Sequence, residues 1–248
     1  MNSRIIVAHR GLSALYPENT LLAIEQAIAA GARAVEFDVQ LTADKIPVLF
    51  HDATLDRMTG KSGQIMACSW RQLHNHHASY PERFAELHAG TPIAPLTEAV
   101  ACFLQWPAVL PCIEIKQESI EYFGMKMCLN RIIKTAKPLL EQMLFLSFNA
   151  NVIEFLHSLG IRRTGWVLED YDSRHRISAD ALQPSVLICA REKLPALAEG
   201  LWPGPWDWMV YQTEDPELIE QLLRRGIRYI ETDNIKAIAA ALPGLFSG

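Results

Sequence analysis

What most constrains the fold of this 248-residue chain is a rhythm: short runs rich in Val, Ile and Leu alternate with longer amphipathic segments. Strand-like runs occupy 4–8, 34–39, 109–115, 143–147, 163–168, 185–189, 208–211 and 228–231. Helical patterns fall between them at 18–30, 96–105, 119–137, 150–159, 174–182, 194–200 and 215–225. Alternation of this kind argues for a parallel sheet. Central parallel strands are covered on both faces and so read as unbroken apolar runs, as Ile5-Ile6-Val7-Ala8 does. Eight such units in about 250 residues predict an α/β fold closed into a (β/α)8 barrel. An open doubly wound sheet is the alternative.

The run at 46–50 breaks the rhythm. Residues 41–45 are too few for a crossover helix, so 34–39 and 46–50 should pair as an antiparallel hairpin. A turn near Asp44 would bring His51 across from Glu36 and Asp38. Residues 53–95 carry little periodicity and many turn formers, and they read as an inserted loop region of the kind that is usually functional. The expectation is one domain over 1–248, with this insertion at about 53–95.

Composition narrows the function. The net charge is −5 and no basic tract is present, so nucleic acid is not an expected partner. Any anion must be held by a few local charges and a metal. The five cysteines (Cys68, Cys102, Cys112, Cys128 and Cys189) show no CxxC spacing and read as reduced core residues. Reduced thiols fit a reducing compartment. No apolar run is long enough for a signal-peptide core or a membrane span. The expectation is a cytoplasmic protein without stable membrane insertion; oligomeric state is open. Neither GxGxxG nor GxxxxGK[ST] follows any strand.

In a barrel, reactive side chains belong at the C-terminal ends of strands. His9 and Arg10 end the first run, Glu36 and Asp38 the second, and Glu114 and Lys116 the one at 109–115. Glu36 and Asp38 are two apart in a strand and share a face. Paired carboxylates repel unless a proton or cation lies between them. Glu114 from a neighbouring strand would complete an oxygen-rich site. Three carboxylates without a thiolate favour Mg²⁺ or Ca²⁺ over zinc. The bland alternative, surface acids at strand ends, sits poorly with Phe37, Val39, Ile113 and Ile115 beside them, since buried unpaired carboxylates are costly.

His9 and His51 are the natural proton-transfer pair, because imidazole titrates near neutrality. Arg10 suits bidentate phosphate recognition and Lys116 acts as a point charge, unless both merely pair with the carboxylates. Together with a divalent cation these groups describe phosphodiester cleavage. Other clusters say less. His74, His76 and His77 lack an acid or thiol at ligand spacing; Trp202, Trp206 and Trp208 read as packing at the barrel edge; Asp44, Asp52 and Asp56 read as turn or supporting residues.

Taken in order, His9-Arg10-Gly11, Pro17-Glu18-Asn19-Thr20, Glu36-Phe37-Asp38-Val39-Gln40, Pro47-Val48-Leu49-Phe50-His51-Asp52 and Glu114-Ile115-Lys116 resemble the motif series of the glycerophosphodiester phosphodiesterases. The resemblance continues through Leu55-Asp56-Arg57, Ser147-Phe148, Tyr211-Gln212-Thr213-Glu214-Asp215-Pro216 and Glu231-Thr232-Asp233-Asn234. It implies a TIM barrel with a small insertion, dependence on one Mg²⁺ or Ca²⁺, and hydrolysis of a small glycerophosphodiester to sn-glycerol 3-phosphate and an alcohol. By motif position, Glu36, Asp38 and Glu114 would be metal ligands and His9 and His51 the acid–base pair. Arg10 and Lys116 would hold phosphate, Phe148 and Tyr211 would bound the substrate, and Glu18 to Thr20 would support the rim.

The chain departs from the pattern at Tyr211-Gln212-Thr213-Glu214, where Trp-Thr-Val-Asn is usual, and at Ile93-Ala94-Pro95-Leu96-Thr97-Glu98, where Ile-Pro-Thr-Leu-Glu-Glu is usual. The insertion also lacks much of the usual Gly/Asn richness. These changes bear on substrate preference. A second reading is therefore a phosphodiesterase acting on lysophospholipids or another phosphodiester. A third is a non-catalytic ligand-binding barrel, which would be expected to lack one of the site residues; all are present.

Overall fold

Short, β-branched-rich runs become strands wherever both faces can be covered, and here they close on themselves. The computed structural model describes residues 4–246, so the ends of the expected 1–248 domain lie outside the described residues. The strands are β1 (Ile5–Ala8), β2 (Ala34–Leu41), β3 (Pro47–Leu49), β4 (Leu110–Ile115), β5 (Leu144–Ser147), β6 (Thr164–Val167), β7 (Val186–Ala190), β8 (Asp207–Tyr211) and β9 (Tyr229–Thr232). They form one sheet in the order β1-β9-β8-β7-β6-β5-β4-β2-β3, and β1 also pairs with β2. That last pairing closes eight parallel strands into the barrel. β3 lies outside the ring, antiparallel to β2 with Val39 opposite Leu49 and Leu41 opposite Pro47. The short 41–45 link therefore makes the expected hairpin.

The barrel interior is apolar, packed with Val7, Ala34, Cys112, Leu144, Val186 and Met209 among others. The outer strand faces pack against helices; Phe37 of β2, for example, stacks on Phe103 with ring centroids 5.6 Å apart. The helices are α1 (Leu21–Ala29), α2 (Asp56–Thr59), α3 (Trp70–Leu73), α4 (Pro81–Phe84), α5 (Leu96–Gln105), α6 (Gln117–Phe123), α7 (Met125–Ala136), α8 (Ala150–Ser158), α9 (Ser173–Leu182), α10 (Pro216–Arg224) and α11 (Ile235–Ala241). No helix among the described residues is long and apolar enough to cross a membrane. All five cysteines are free.

Four expectations change in detail. The first helix begins after Thr20, whose Oγ1 accepts from the Ala23 amide at 3.1 Å, so Glu18 and Asn19 stay in the loop. The pattern at 119–137 is two helices, because Gly124 at φ 84° turns the chain between α6 and α7. No α-helix forms at 194–200; Arg191–Lys193 make a single tight turn, and the chain runs on to Gly200 without regular structure. The stretch 53–95 is not bare loop: α2, α3 and α4 enclose a small core that includes Val48, Phe50, Leu55, Met58, Ile65 and Leu73. In addition, α11 follows β9 behind an Asn234 side-chain cap, a helix the apolar pattern did not announce.

Candidate active site

The C-terminal strand ends carry the reactive residues to one place. Asp38 of β2 stands in register with Glu114 of β4, and Val7 of β1 with Glu231 of β9. A cavity of about 180 Å³ opens there, walled by His9, Arg10, Glu36, His51, Glu114 and Lys116, with Phe148, Tyr211 and Glu231 around them and Leu146, Val167 and Ile188 as apolar lining. Eight of the nine residues singled out from the sequence thus line one cavity. The ninth, Asp38, is only 1% exposed and touches the lining residues Arg10 and Lys116.

The first loop is shaped by backbone that few residues tolerate. Arg10 (φ 56°) and Gly11 (φ 86°) turn the chain so that the Arg10 amide donates to Glu36 Oε2 at 3.1 Å. A Cβ on Gly11 would sit 2.6 Å from the carbonyl carbon of Ala23, inside α1. Gly11→Ala is therefore expected to cost about 2 kcal/mol or more of stability, read as a lowered urea midpoint; an unchanged midpoint would contradict this packing. Asn19, also at positive φ (56°), donates from Nδ2 to Asp38 Oδ2 at 2.8 Å and accepts from the Asp38 amide at 2.9 Å. Asp38 is held from both sides.

Glu36, Asp38 and Glu114 each offer one oxygen to a group spanning no more than 4.8 Å. Glu36 Oε1 and Asp38 Oδ1 are buried without a hydrogen-bond partner. Burial, then the neighbouring carboxylates of Asp38, Glu231 and Glu114, push the Glu36 carboxyl well above its usual range. Burial and Asp38 also raise Glu114, despite Lys116. Asp38 goes the other way, to about 2: burial opposes ionisation, but Arg10, Lys116, His51 and the Asn19 hydrogen bond outweigh it. Hard oxygen donors, two of them buried and unsatisfied, fit a divalent cation of the Mg²⁺ or Ca²⁺ type.

The two cations of the rim are already engaged. Arg10 Nη1 donates to Glu18 Oε1 at 2.8 Å, and its Nε lies 3.1 Å from Asp38 Oδ2 without hydrogen-bond geometry. Lys116 Nζ donates to Glu114 Oε1 at 2.8 Å and stands 3.4 Å from Asp38 Oδ1. Both still face the cavity, so a phosphate entering it would meet positive charge held in place by carboxylates.

Each histidine is tied through Nδ1 to a carboxylate: His9 to Asp233 Oδ1 and His51 to Asp52 Oδ1, both at 2.8 Å. A carboxylate only accepts, so Nδ1 carries the proton and Nε2 is left to the cavity side. For His9 that nitrogen lies 4.0 Å from Glu36 Oε2. Asp233 is itself fixed by Ser13 Oγ at 3.0 Å and Gln212 Nε2 at 2.8 Å. Asp52 is gripped by Arg57, whose guanidinium also forks onto Glu18 at 2.8 Å. Burial pulls the His9 pKa down, but the Asp233 hydrogen bond and the Glu231 charge more than offset it, and the net shift is upward. Asp233→Asn should therefore move the His9 titration to lower pH, as followed by NMR of the imidazole; an unmoved titration would count against the pairing.

The sequence alone assigns no role to Asp233, Arg57 or Glu231, although Asp233 and Glu231 end a strand run and Arg57 follows His51 closely. Asn19 was expected to support the rim, and its grip on Asp38 is the form that support takes. His74, His76 and His77 join no group of three metal-type donors among the described residues. The tryptophans pack as expected: Trp206 and Trp208 are buried, and Trp202 stacks on Tyr171 at 3.9 Å.

Over residues 9–237 the chain matches the model of the glycerophosphoryl diester phosphodiesterase family. It belongs to that family. It is 43% identical over 95 residues to glycerophosphodiester phosphodiesterase 1 of Bos taurus, covering 38% of this chain and 29% of that protein. It is 37% identical over 123 residues to an uncharacterized protein of Bacillus subtilis, covering 49% of each. The chain thus spans under half the length of these two relatives. With a glycerophosphodiester phosphodiesterase of Caldanaerobacter subterraneus it shares 29% identity over 241 residues, 93% of this chain and 94% of the other. Among solved structures, an Oleispira antarctica phosphodiesterase in complex with sn-glycerol 3-phosphate superposes with a TM-score of 0.84 at 24% identity, covering 96% of both chains. A glycerophosphodiester phosphodiesterase from Agrobacterium tumefaciens gives 0.76 at 21% identity, covering 97% of this chain and 100% of that one. These likenesses bear out the closed family barrel.

Proposed function

We propose that this chain is a glycerophosphodiester phosphodiesterase that needs one divalent cation and releases sn-glycerol 3-phosphate and an alcohol. The observation that carries this reading is two imidazoles, each with Nδ1 held by a carboxylate, on the wall of the same cavity as three clustered carboxylates. Family membership supports it, as does the product found in the Oleispira protein.

Glu36, Asp38 and Glu114 would hold the cation, which when bound neutralises charge building up on the phosphoryl oxygens. Arg10 and Lys116 bind and orient the phosphodiester, while Phe148 and Tyr211 bound the rest of the substrate. One histidine takes a proton at Nε2 from the attacking hydroxyl and the other delivers one to the departing alkoxide. The Asp233 and Asp52 contacts keep each ring in the tautomer that this exchange requires. The attacking group is either water or the glycerol 2-hydroxyl; a cyclic glycerophosphate accumulating during turnover would identify the second. The 1–248 barrel with its insertion at about 53–95 works as one domain in this reading, and the free thiols support a cytoplasmic setting. Phosphorus NMR of glycerophosphoethanolamine incubated with the protein and Mg²⁺ should show sn-glycerol 3-phosphate appearing. An unchanged diester signal across a panel of head groups, with Mg²⁺ and again with Ca²⁺, would refute the activity.

A further inference from the structure

One acidic side chain on the cavity wall is not used by that mechanism. Glu231 of β9 is 4% exposed and lines the cavity beside His9, Glu114 and Tyr211. Among the described residues its carboxylate makes no hydrogen bond and no ion pair, while its backbone oxygen accepts from the Thr213 amide at 3.1 Å. It stands in register with Val7, in the layer that caps the apolar barrel interior. Its oxygens are not among the sealed, unpartnered atoms of the site, so they open into the cavity, where a ligand that displaces water must supply them a donor.

The choice of partner is narrow. The phosphate is a poor partner, since the ionised carboxylate would repel it. The cation site is a poor candidate, because Glu231 falls outside the group of three donors that lie within 4.8 Å of one another. Arg10 and Lys116 are committed to Glu18, Asp38 and Glu114; His9 feels the Glu231 charge, but its ring is hydrogen-bonded to Asp233 and forms no ion pair with Glu231. What remains is a donor on the substrate, and the donors of a glycerophosphodiester next to its phosphate are the glycerol hydroxyls. We infer that Glu231 accepts a hydrogen bond from a glycerol hydroxyl, and so makes the site select polyol phosphoesters over alkyl phosphoesters. This rests on the proposed function and adds to it the residue that reads the glycerol. Selectivity of this kind is strong because an alkyl ligand would leave the buried carboxylate unpaired.

The test is calorimetric titration of the full chain, in buffer containing Mg²⁺, with sn-glycerol 3-phosphate and with n-propyl phosphate, which has the same carbon count and no hydroxyls. The wild type should favour the glycerol ester by about tenfold or more, as a hydrogen bond to a charged group implies. In Glu231→Leu the preference should shrink to within about threefold. Glu231→Gln, which keeps the shape and an uncharged acceptor, should fall between and carries the test if the Leu variant does not fold. No preference in the wild type, or an undiminished one in the variants, would overturn the inference. So would a Glu231-dependent gain seen only with ethanolamine phosphate, which would assign the carboxylate to a cationic head group. Hydrolysis of glycerophosphoethanolamine by the wild type is measured alongside. If it proceeds while the binding preference ignores Glu231, this inference alone falls; if no diester is cleaved, the proposed function falls.

Discussion

His9→Ala and His51→Ala are each expected to lower kcat on a glycerophosphodiester by about 10²–10⁴-fold, the usual contribution of a positioned proton-transfer group. Both rings face the cavity and both are oriented through Nδ1, so neither substitution removes a structural pillar: His9 answers to Asp233 and His51 to Asp52 at 2.8 Å. The two variants should differ in one respect. The variant lacking the proton donor should recover much of its rate on a diester with an acidic leaving group such as p-nitrophenol, which departs without protonation. The variant lacking the base should not. Rates within a few-fold of wild type for either alanine variant would remove that histidine from the chemistry.

Glu36→Gln should abolish the response to divalent cation and cost about a hundredfold or more in kcat/KM, while stabilising the cation-free protein. Substitutions that only support a metal ligand commonly cost ten- to a hundredfold, so a ligand itself should cost no less. The stability gain follows from the same burial. Glu36 sits among Asp38, Glu231 and Glu114 with one oxygen unsatisfied, so its folded pKa lies well above the unfolded one. An acid with a raised folded pKa stabilises the fold below its unfolded pKa, and that contribution is lost as pH climbs through the folded value. Glu231, raised to about 7 chiefly by burial, adds to the same trend. The cation-free wild type should thus lose stability between about pH 4.5 and 7, more steeply than Glu36→Gln. Mg²⁺ or Ca²⁺ should flatten the wild-type slope and leave the variant unmoved. Thermal melts across that pH range, with and without cation, would show it; identical slopes in both proteins would contradict the buried-charge account.

Much of the barrel could be read from the chain because its signals are local. Parallel strands buried on both faces are plain apolar runs, and the length of 41–45 alone forbids a crossover. The strand-end acids and histidines were legible for the same reason, since position in a strand decides which rim a residue reaches. What could not be read is whatever depends on barrel closure. Asp233 meets His9 across 224 residues because β9 pairs with β1, and no local pattern announces that neighbour. Arg57 could be seen in its motif, but not its simultaneous grip on Glu18 and Asp52. Helix boundaries failed where a single residue overrode periodicity, as at Gly124 and the Thr20 cap.

Strand-end carboxylates and histidines that form a cation-dependent phosphodiesterase site should reveal themselves in one assay. The most direct measurement is release of sn-glycerol 3-phosphate from glycerophosphoethanolamine by the purified chain, before and after EDTA and then with Mg²⁺ or Ca²⁺ restored. The expected result is hydrolysis that EDTA abolishes and one of the two cations restores. Hydrolysis indifferent to EDTA, or none with either cation present, would contradict it.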